Sequence, residues 1–300
     1  MKQISDIGRG ALTLLPVLLV CLLCQVPLSG QDAEEARAED KPVRSMFNST
    51  LLIDNQTAIV PIKGTLQMDI VHRFGTWDNG YDDFWGFFAP SNIKFGFSYV
   101  LVDNLSVGFG FTKNNLLWDF NAKYAILQQT RSGRVPVSLT YFGDMAIETR
   151  DKINYRKSGD RFSYFHQLMI ARKISPKISL QVAPSLSHFN KVDAILDDNN
   201  EVQGLMENDH IAISVGGKWQ ITSGTAIIAH YDQPITDHFA GNPESNLSLG
   251  VEFVTSSHAF QVFIGNFSGI VPQYNNFLNR NSFGDNEILI GFNVTRLWNF

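Results

Sequence analysis

From Gly64 to the C-terminus, apolar and polar positions alternate with a period of two, the mark of a strand whose two faces meet different surroundings. Leu66, Met68, Ile70 and Phe74 alternate with Gln67, Asp69 and Arg73, and Ile93, Phe95, Phe97, Tyr99 and Leu101 with Lys94, Gly96 and Ser98. Leu105, Val107, Phe109 and Phe111 then alternate with Ser106, Gly108, Gly110 and Thr112, and Trp118, Phe120, Tyr124 and Ile126 with Asp119, Asn121 and Lys123. The pattern recurs over 137–145, 164–170, 178–187, 211–220, 227–231, 247–253, 260–264 and 288–300. These segments predict an all-β chain: an antiparallel transmembrane β-barrel of about twelve strands, each of roughly 9 to 12 residues, the length a tilted spanning strand needs.

Connection lengths test the same reading, because membrane barrels carry short turns at one end and long loops at the other. Short links fall at Asp103-Asn104, Ser175-Pro176-Lys177, Thr222-Ser223-Gly224 and Thr255-Ser256-Ser257, and long ones at 75–92, 148–160, 190–209, 232–245 and 267–286. Two links break the rule: Lys113-Asn114-Asn115 is a short outer one, and 128–136 is a long inner one. An even strand count returns both ends of the barrel to the inner side. Tyr99, Trp219, Trp298 and Phe300 fall near inner strand ends and Phe74 and Trp118 near outer ends, where aromatic girdles are expected.

Which face meets lipid follows from residue size. The polar face is rich in Gly and Ser with single charges, whereas the apolar face carries bulky Phe, Leu, Ile, Val and Trp, as a lipid-facing wall requires. A soluble sandwich or lipocalin-like barrel would invert that arrangement and, at this length, would need a linker in mid-chain. Composition removes other classes. The chain has 300 residues, net charge -5 and 12% aromatic residues, and a mean hydropathy of -0.06. It is too rich in aromatics for disorder and carries no basic footprint for nucleic acid. Beyond the leader it lacks the roughly 20-residue apolar run of a spanning helix.

The organisation along the chain is a signal peptide at 1–30, a periplasmic linker and pre-barrel segment at 31–63, and a barrel at 64–300. Lys2 and Arg9 precede an apolar core from Ala11 to Leu23, and Leu28-Ser29-Gly30 offers small residues for cleavage. Both cysteines, Cys21 and Cys24, lie in this leader, so the exported chain holds none. The stretch 31–45 is charged and solvated. The stretch 46–63 fits neither period, yet its Leu51, Leu52, Ile53, Ile59, Val60 and Ile62 must be buried somewhere, and the inner mouth of the barrel is the nearest surface.

Inward positions collect Asp69, Asp119, Asp144 and Glu252 against Arg73, Lys94, Lys123 and Lys218. This balanced set is the candidate pore lining, either facing a solute or pairing to hold the barrel rigid. Phe142, Phe165, Met169, Phe263, Leu289 and Leu297 are large inward apolar residues that either line a greasy path or pack against a plug. In the outer loop 75–92, Trp77, Tyr81, Phe84 and Trp85 either fold into the mouth, contact a ligand outside or pack on one another. The outer loop with Asp193, Asp197, Asp198, Glu201, Glu207 and Asp209 is acidic but lacks a calcium-loop glycine. No catalytic set is expected: His72 and His166 have no outward serine on adjacent strands, and neither a G-x-S-x-G elbow nor an H-E-x-x-H pair occurs. No cofactor or metal is expected either.

The motifs Phe47-Asn48-Ser49-Thr50, Asn55-Gln56-Thr57, Lys63-Gly64-Thr65-Leu66 and His72-Arg73-Phe74-Gly75 resemble the opening of a Gram-negative outer-membrane β-barrel family of unknown function. Tyr99 with Asp103-Asn104-Leu105-Ser106-Val107-Gly108 is similar to its second hairpin. The run from Gly291 to Phe300 resembles the terminal strand that barrel-assembly machinery reads, with Arg296 departing from its apolar rule. The resemblance implies an outer-membrane location with lipid and assembly machinery as partners, and brings no substrate. The function expected is a narrow passive pore for small solutes. A non-conducting structural or ligand-binding barrel is the alternative, with a membrane-embedded hydrolase behind both.

Overall fold

A computed structural model describes residues 40–300, apart from 152, 154, 193, 198, 200 and 240. The stretch 1–30 expected to be a leader, with its two cysteines, most of the charged stretch after it, and Asp193 and Asp198 of the acidic loop lie outside the described residues.

Before the barrel, Leu51–Leu52 (β1) and Asn55–Gln56 (β2) form a small antiparallel hairpin. The barrel opens with Thr65–Thr76 (β3), Asn92–Val102 (β4), Leu105–Thr112 (β5) and Leu117–Leu127 (β6). It continues through Ser138–Glu148 (β7), Phe162–Lys173 (β8) and Ile178–Phe189 (β9). An outer loop then raises its own hairpin from Ala194–Leu196 (β10) and Val202–Leu205 (β11). Asp209–Gln220 (β12), Thr225–Pro234 (β13), Asn246–Val254 (β14), His258–Gly265 (β15) and Leu289–Asn299 (β16) complete the wall. One short helix, Pro272–Leu278 (α1), lies between β15 and β16.

Every wall strand pairs antiparallel with its sequence neighbour in the wall, and β16 pairs with β3 to close a barrel of 12 strands. Closure abolishes free edges, so each wall strand has hydrogen-bonding neighbours on both sides, the condition for placing a sheet in lipid. The pleat then sorts side chains. Phe97, Phe109, Phe120, Trp118, Leu249 and Val262 face outward, and Phe97 and Phe109 stack across the β4–β5 pair at 5.5 Å. Many inward positions are polar and buried, among them Arg73, Asp119, Gln167, Ser185, Ser214 and Gln261. The wall is apolar outside and polar inside, the inverse of a soluble barrel.

Turn chemistry fixes the register. Asn104 adopts the left-handed conformation (φ 68°) in the two-residue β4–β5 turn, which Asn tolerates and a right-twisted hairpin demands. At the barrel entry Gly64 has φ 83°, and a β-carbon there would lie 2.9 Å from the carbonyl oxygen of Phe300. Only glycine turns the chain from lumen to wall at that point. The long inner link 128–136 also has a structural reason. It bonds the incoming N-terminal segment through Val43 N to Gln129 O (2.8 Å), Arg131 N to Lys41 O (3.0 Å) and Ser132 Oγ to Asp40 (2.7 Å).

The occluded lumen as candidate functional site

Residues 46–61 enter the barrel from the inner rim and fill it. The hairpin β1–β2 turns through Ile53 and Asp54, with Ile53 at φ 59°. Its apolar residues Met46, Phe47, Leu52, Ile53 and Ala58 are buried against Phe142, Phe165, Met169, Ala183, Ile228 and Phe263 of the wall. Four of the six large inward residues expected from the sequence, Phe142, Phe165, Met169 and Phe263, therefore form a socket for the plug. Leu289 is buried apart from that cluster, and Leu297 is half-buried at the inner rim. Small inward residues make the room: a β-carbon on Gly216 would lie 2.4 Å from a methyl of Leu52.

The polar half of the plug is bonded just as fully. Lys218 Nζ donates to Ser45 O (3.1 Å) and Asn48 Oδ1 (3.0 Å), and Asn48 Nδ2 donates to Glu252 (2.9 Å). Lys123 Nζ reaches the carbonyls of Thr50 and Thr57, each at 3.4 Å. Gln261 and Asn293 clasp the hairpin backbone at Leu51 and Ile53, and Gln181 and Thr140 do so at Gln56 and Ala58. Asp54 at the hairpin tip lies 3.8 Å from Arg73, whose guanidinium also stands 4.5 Å over the Phe263 ring and bonds Asn293 at 3.0 Å.

From the opposite rim, where the long loops gather, α1 closes the mouth. Gln273, Asn275, Asn276 and Phe277 are buried. Gln273 donates to Asp144 (3.2 Å) and Tyr274 to Glu148 (3.4 Å), and Asn275 bonds Asp54, so the two inserted elements meet. Phe277 packs with Phe189 and Met206. Between the plug and the start of α1, a cavity of about 70 Å³ remains, bordered by Asp54, Asp69, Arg73, Lys94, Lys123 and Asp144.

The eight charges expected to line a pore thus take three positions. Arg73, Lys123, Lys218 and Glu252 hold the N-terminal segment, and Asp144 holds α1. The remaining three bond across the wall, Lys94 to Asp119 at 2.7 Å and Asp69 to Thr295 at 2.6 Å. Gly110 leaves space for the first pair, since a β-carbon there would lie 2.5 Å from Lys94 Cε.

A second polar centre escaped the sequence reading. Asn55 of the hairpin bonds Gln167 (2.6 Å), Ser214 (3.3 Å), Asp232 (3.1 Å) and His230, and His230 Nε2 lies 3.0 Å from Asp232. Ser214 donates to Asp232 rather than to His230, so at this centre the serine is not paired with the imidazole as nucleophilic catalysis would need. The signal for these residues was present: the alternation of Ile227 and Tyr231 on β13 turns His230 and Asp232 inward.

The outer aromatics are placed differently. Trp77 donates from Nε1 to Asn286 (3.1 Å), while Tyr81, Phe84 and Trp85 pack on one another and are exposed, none of them bordering the cavity. In the acidic loop, Asp197 accepts the backbone N–H groups of Asn199 (2.8 Å) and Glu201 (2.9 Å). Among the described residues no group of three or more metal-ligating side chains assembles.

A closed barrel, apolar outside and filled by its own N-terminal segment, defines the class: a membrane-spanning β-barrel with an occluded lumen. The chain belongs to the family described as membrane bound beta barrel domain (DUF5777), matched over residues 47–298, a span that takes in all of the plug but Met46. Among solved structures the chain is similar to the NanC porin (6% identity, 78% of this chain and 99% of that one, TM-score 0.49). It is also similar to the COG4313 outer membrane channel from Pseudomonas putida F1 (11%, 80% and 97%, TM-score 0.48). A third is the KdgM porin in complex with disordered oligogalacturonate (7%, 78% and 99%, TM-score 0.47). No curated protein matches the chain.

Proposed function

We propose that the chain is a channel-like barrel of the outer membrane that admits small solutes and is held shut at rest by residues 46–61 and α1. The observation that carries this reading is the polar contact between plug and wall. Lys123 and Lys218 donate to the plug, Glu252 accepts from its Asn48, and Arg73 stands 3.8 Å from its Asp54. A hydrogen bond exchanged for water changes stability by only about 0.5–1.5 kcal/mol. Withdrawal of the segment would therefore wet these groups without stranding them, leaving a charged, water-lined passage. In this proposal the leader exports the chain, Phe300 at the exposed end of the wall serves barrel assembly, and no chemistry is performed on the solute.

The test is conductance of refolded protein in a planar bilayer. The intact chain should be nearly silent, and deletion of 47–61 should give discrete conductance steps while the heat-resistant β-structure persists. A folded deletion variant without conductance would overturn the channel. Loss of folding would show that the barrel needs the segment to assemble and would move the test to a milder variant, whose folding without openings would overturn the gate. The milder Lys218→Gln/Glu252→Gln pair, which loosens one anchor and keeps the apolar socket, should then give brief openings if the gate is real.

A further inference from the structure

Residues 77–88 carry a built aromatic surface whose place in the fold points to a partner. The segment is tied down along its length. Trp77 N donates to Ile288 O (2.8 Å), Gly75 N to Gly86 O (3.1 Å), and Asp83 accepts from Gly86 N (2.8 Å) and Asn79 Nδ2 (3.1 Å). Gly75 and Gly86 cross so closely that a β-carbon on Gly86 would lie 2.2 Å from the Gly75 carbonyl oxygen. Between these ties Phe84 and Trp85 both adopt the left-handed conformation, at φ 55° and 54°, an uncommon and costly state for bulky residues. A clamped, strained segment holds its side chains outward: Tyr81 and Phe88 are 80% and 81% exposed, and Phe84, Trp85 and Phe87 are also exposed.

The rings are continuous with the lipid-facing wall. Phe87 packs on Phe74 at 4.6 Å, Phe74 on His72 at 4.5 Å, and His72 stacks on Phe292 of β16 at 4.9 Å. Phe74, His72 and Phe292 all lie in the outward register of their strands. From this continuity we propose that the aromatic segment is a membrane-interface anchor that rests on the leaflet at the outer rim, its rings at the boundary of acyl chains and headgroups. Aromatic rings favour that layer. Exposed Asp78 and Asp82 on the same segment stay on the water side. The contacts of the segment run toward the bilayer face, so it neither constricts the mouth nor stands free as a platform for a soluble ligand.

The experiment places the full chain, with Trp77, Trp118, Trp219 and Trp298 changed to Phe, in phosphatidylcholine vesicles whose lipids are brominated either high or low on the acyl chain. Trp85 emission should be quenched several-fold more by shallow than by deep bromines and should resist aqueous acrylamide. Strong acrylamide quenching with no effect of either lipid would overturn the proposal and favour a surface facing water. Protection from both quenchers would overturn it in favour of contact with a second copy. Should that variant fail to fold, Phe88→Cys in a Cys21→Ser/Cys24→Ser background changes only an exposed ring. An environment-sensitive label there must show the same lipid preference.

Discussion

Arg73 brings a guanidinium into the barrel between Asp54 of the inserted hairpin and the rings of Phe263 and Phe267, with no part of it exposed. Such a pair does not guarantee stability, but removing one member leaves the other charge buried without its partner, at roughly 3–5 kcal/mol. Arg73→Met should therefore lower the apparent midpoint of guanidinium unfolding in detergent, and Arg73→Met with Asp54→Asn should recover part of the loss. Equal midpoints for the single and double variants would show that the two residues are not coupled. The inward direction of Arg73 was legible from alternation with Phe74 and Ile70. Its partner Asp54 was not, because 46–63 has no period that would assign its side chains a direction, and the hairpin that aims Asp54 at the wall is fixed by long-range contacts. The same alternation separates Phe97 from Ser98. An arginine at a midplane outward position costs roughly 2–4 kcal/mol in lipid, whereas Ser98 faces the polar cavity near Lys94 and Asp69. Phe97→Arg should thus impair assembly, read as the fraction of heat-modifiable barrel, far more than Ser98→Arg, and the opposite order would invert the two faces.

At the scale of elements, the strands and the additions behave differently as objects of prediction. All wall strands follow a period of two, and the pattern is strong because one face must satisfy lipid along its whole length. The helix α1 has only seven residues and begins with Pro272 at its first turn. So short a helix has little stability of its own, and it exists because Phe277 and Val271 find sockets at the mouth. No local pattern announces that. One socket wall is a pair of histidines. His238 Nδ1 accepts the Glu207 N–H at 3.0 Å, so its proton is on Nε2, which donates to His210 Nδ1 at 2.8 Å. The rings stack at 5.1 Å, and Phe277 meets His238 edge-on at 5.1 Å. Burial holds the His238 imidazole below its ordinary value of 6.5, and Arg280 adds to that effect while Glu207 and Asp237 oppose it. The docked state therefore binds a proton less readily than the undocked state. Its stability is complete above 6.5 and declines as pH falls below it. Hydrogen exchange at Tyr274–Leu278, corrected for the intrinsic pH dependence, should rise on acidification in the native chain and much less in His238→Gln. Identical behaviour of the two would remove the histidine pair from the latch.

At the scale of the whole molecule, the even number of wall strands brings both ends of the wall to one rim and most of the long loops to the other. The residues at 40–43 are bonded to the inner link 128–136, and Phe300 N donates to Gly64 O at 3.3 Å beside the barrel entry. Both observations place the N-terminal segment and the C-terminus at the same rim. The hairpin β10–β11 rises at the opposite rim, where Asn190 and Asn208 tie its base to Phe162, Gly159 and Phe189. An epitope inserted between Asp197 and Glu201 should be reached by antibody on intact cells, because it joins the two strands of a hairpin that rises from the long-loop rim. The same epitope placed after Ser45 should stay protected until the membrane is breached. It would also load the segment that enters the lumen, so its accessibility is best compared in the deletion variant as well. Accessibility of the Ser45 site alone would reverse the barrel in the membrane and put α1, rather than the N-terminal plug, on the side from which the cell could pull.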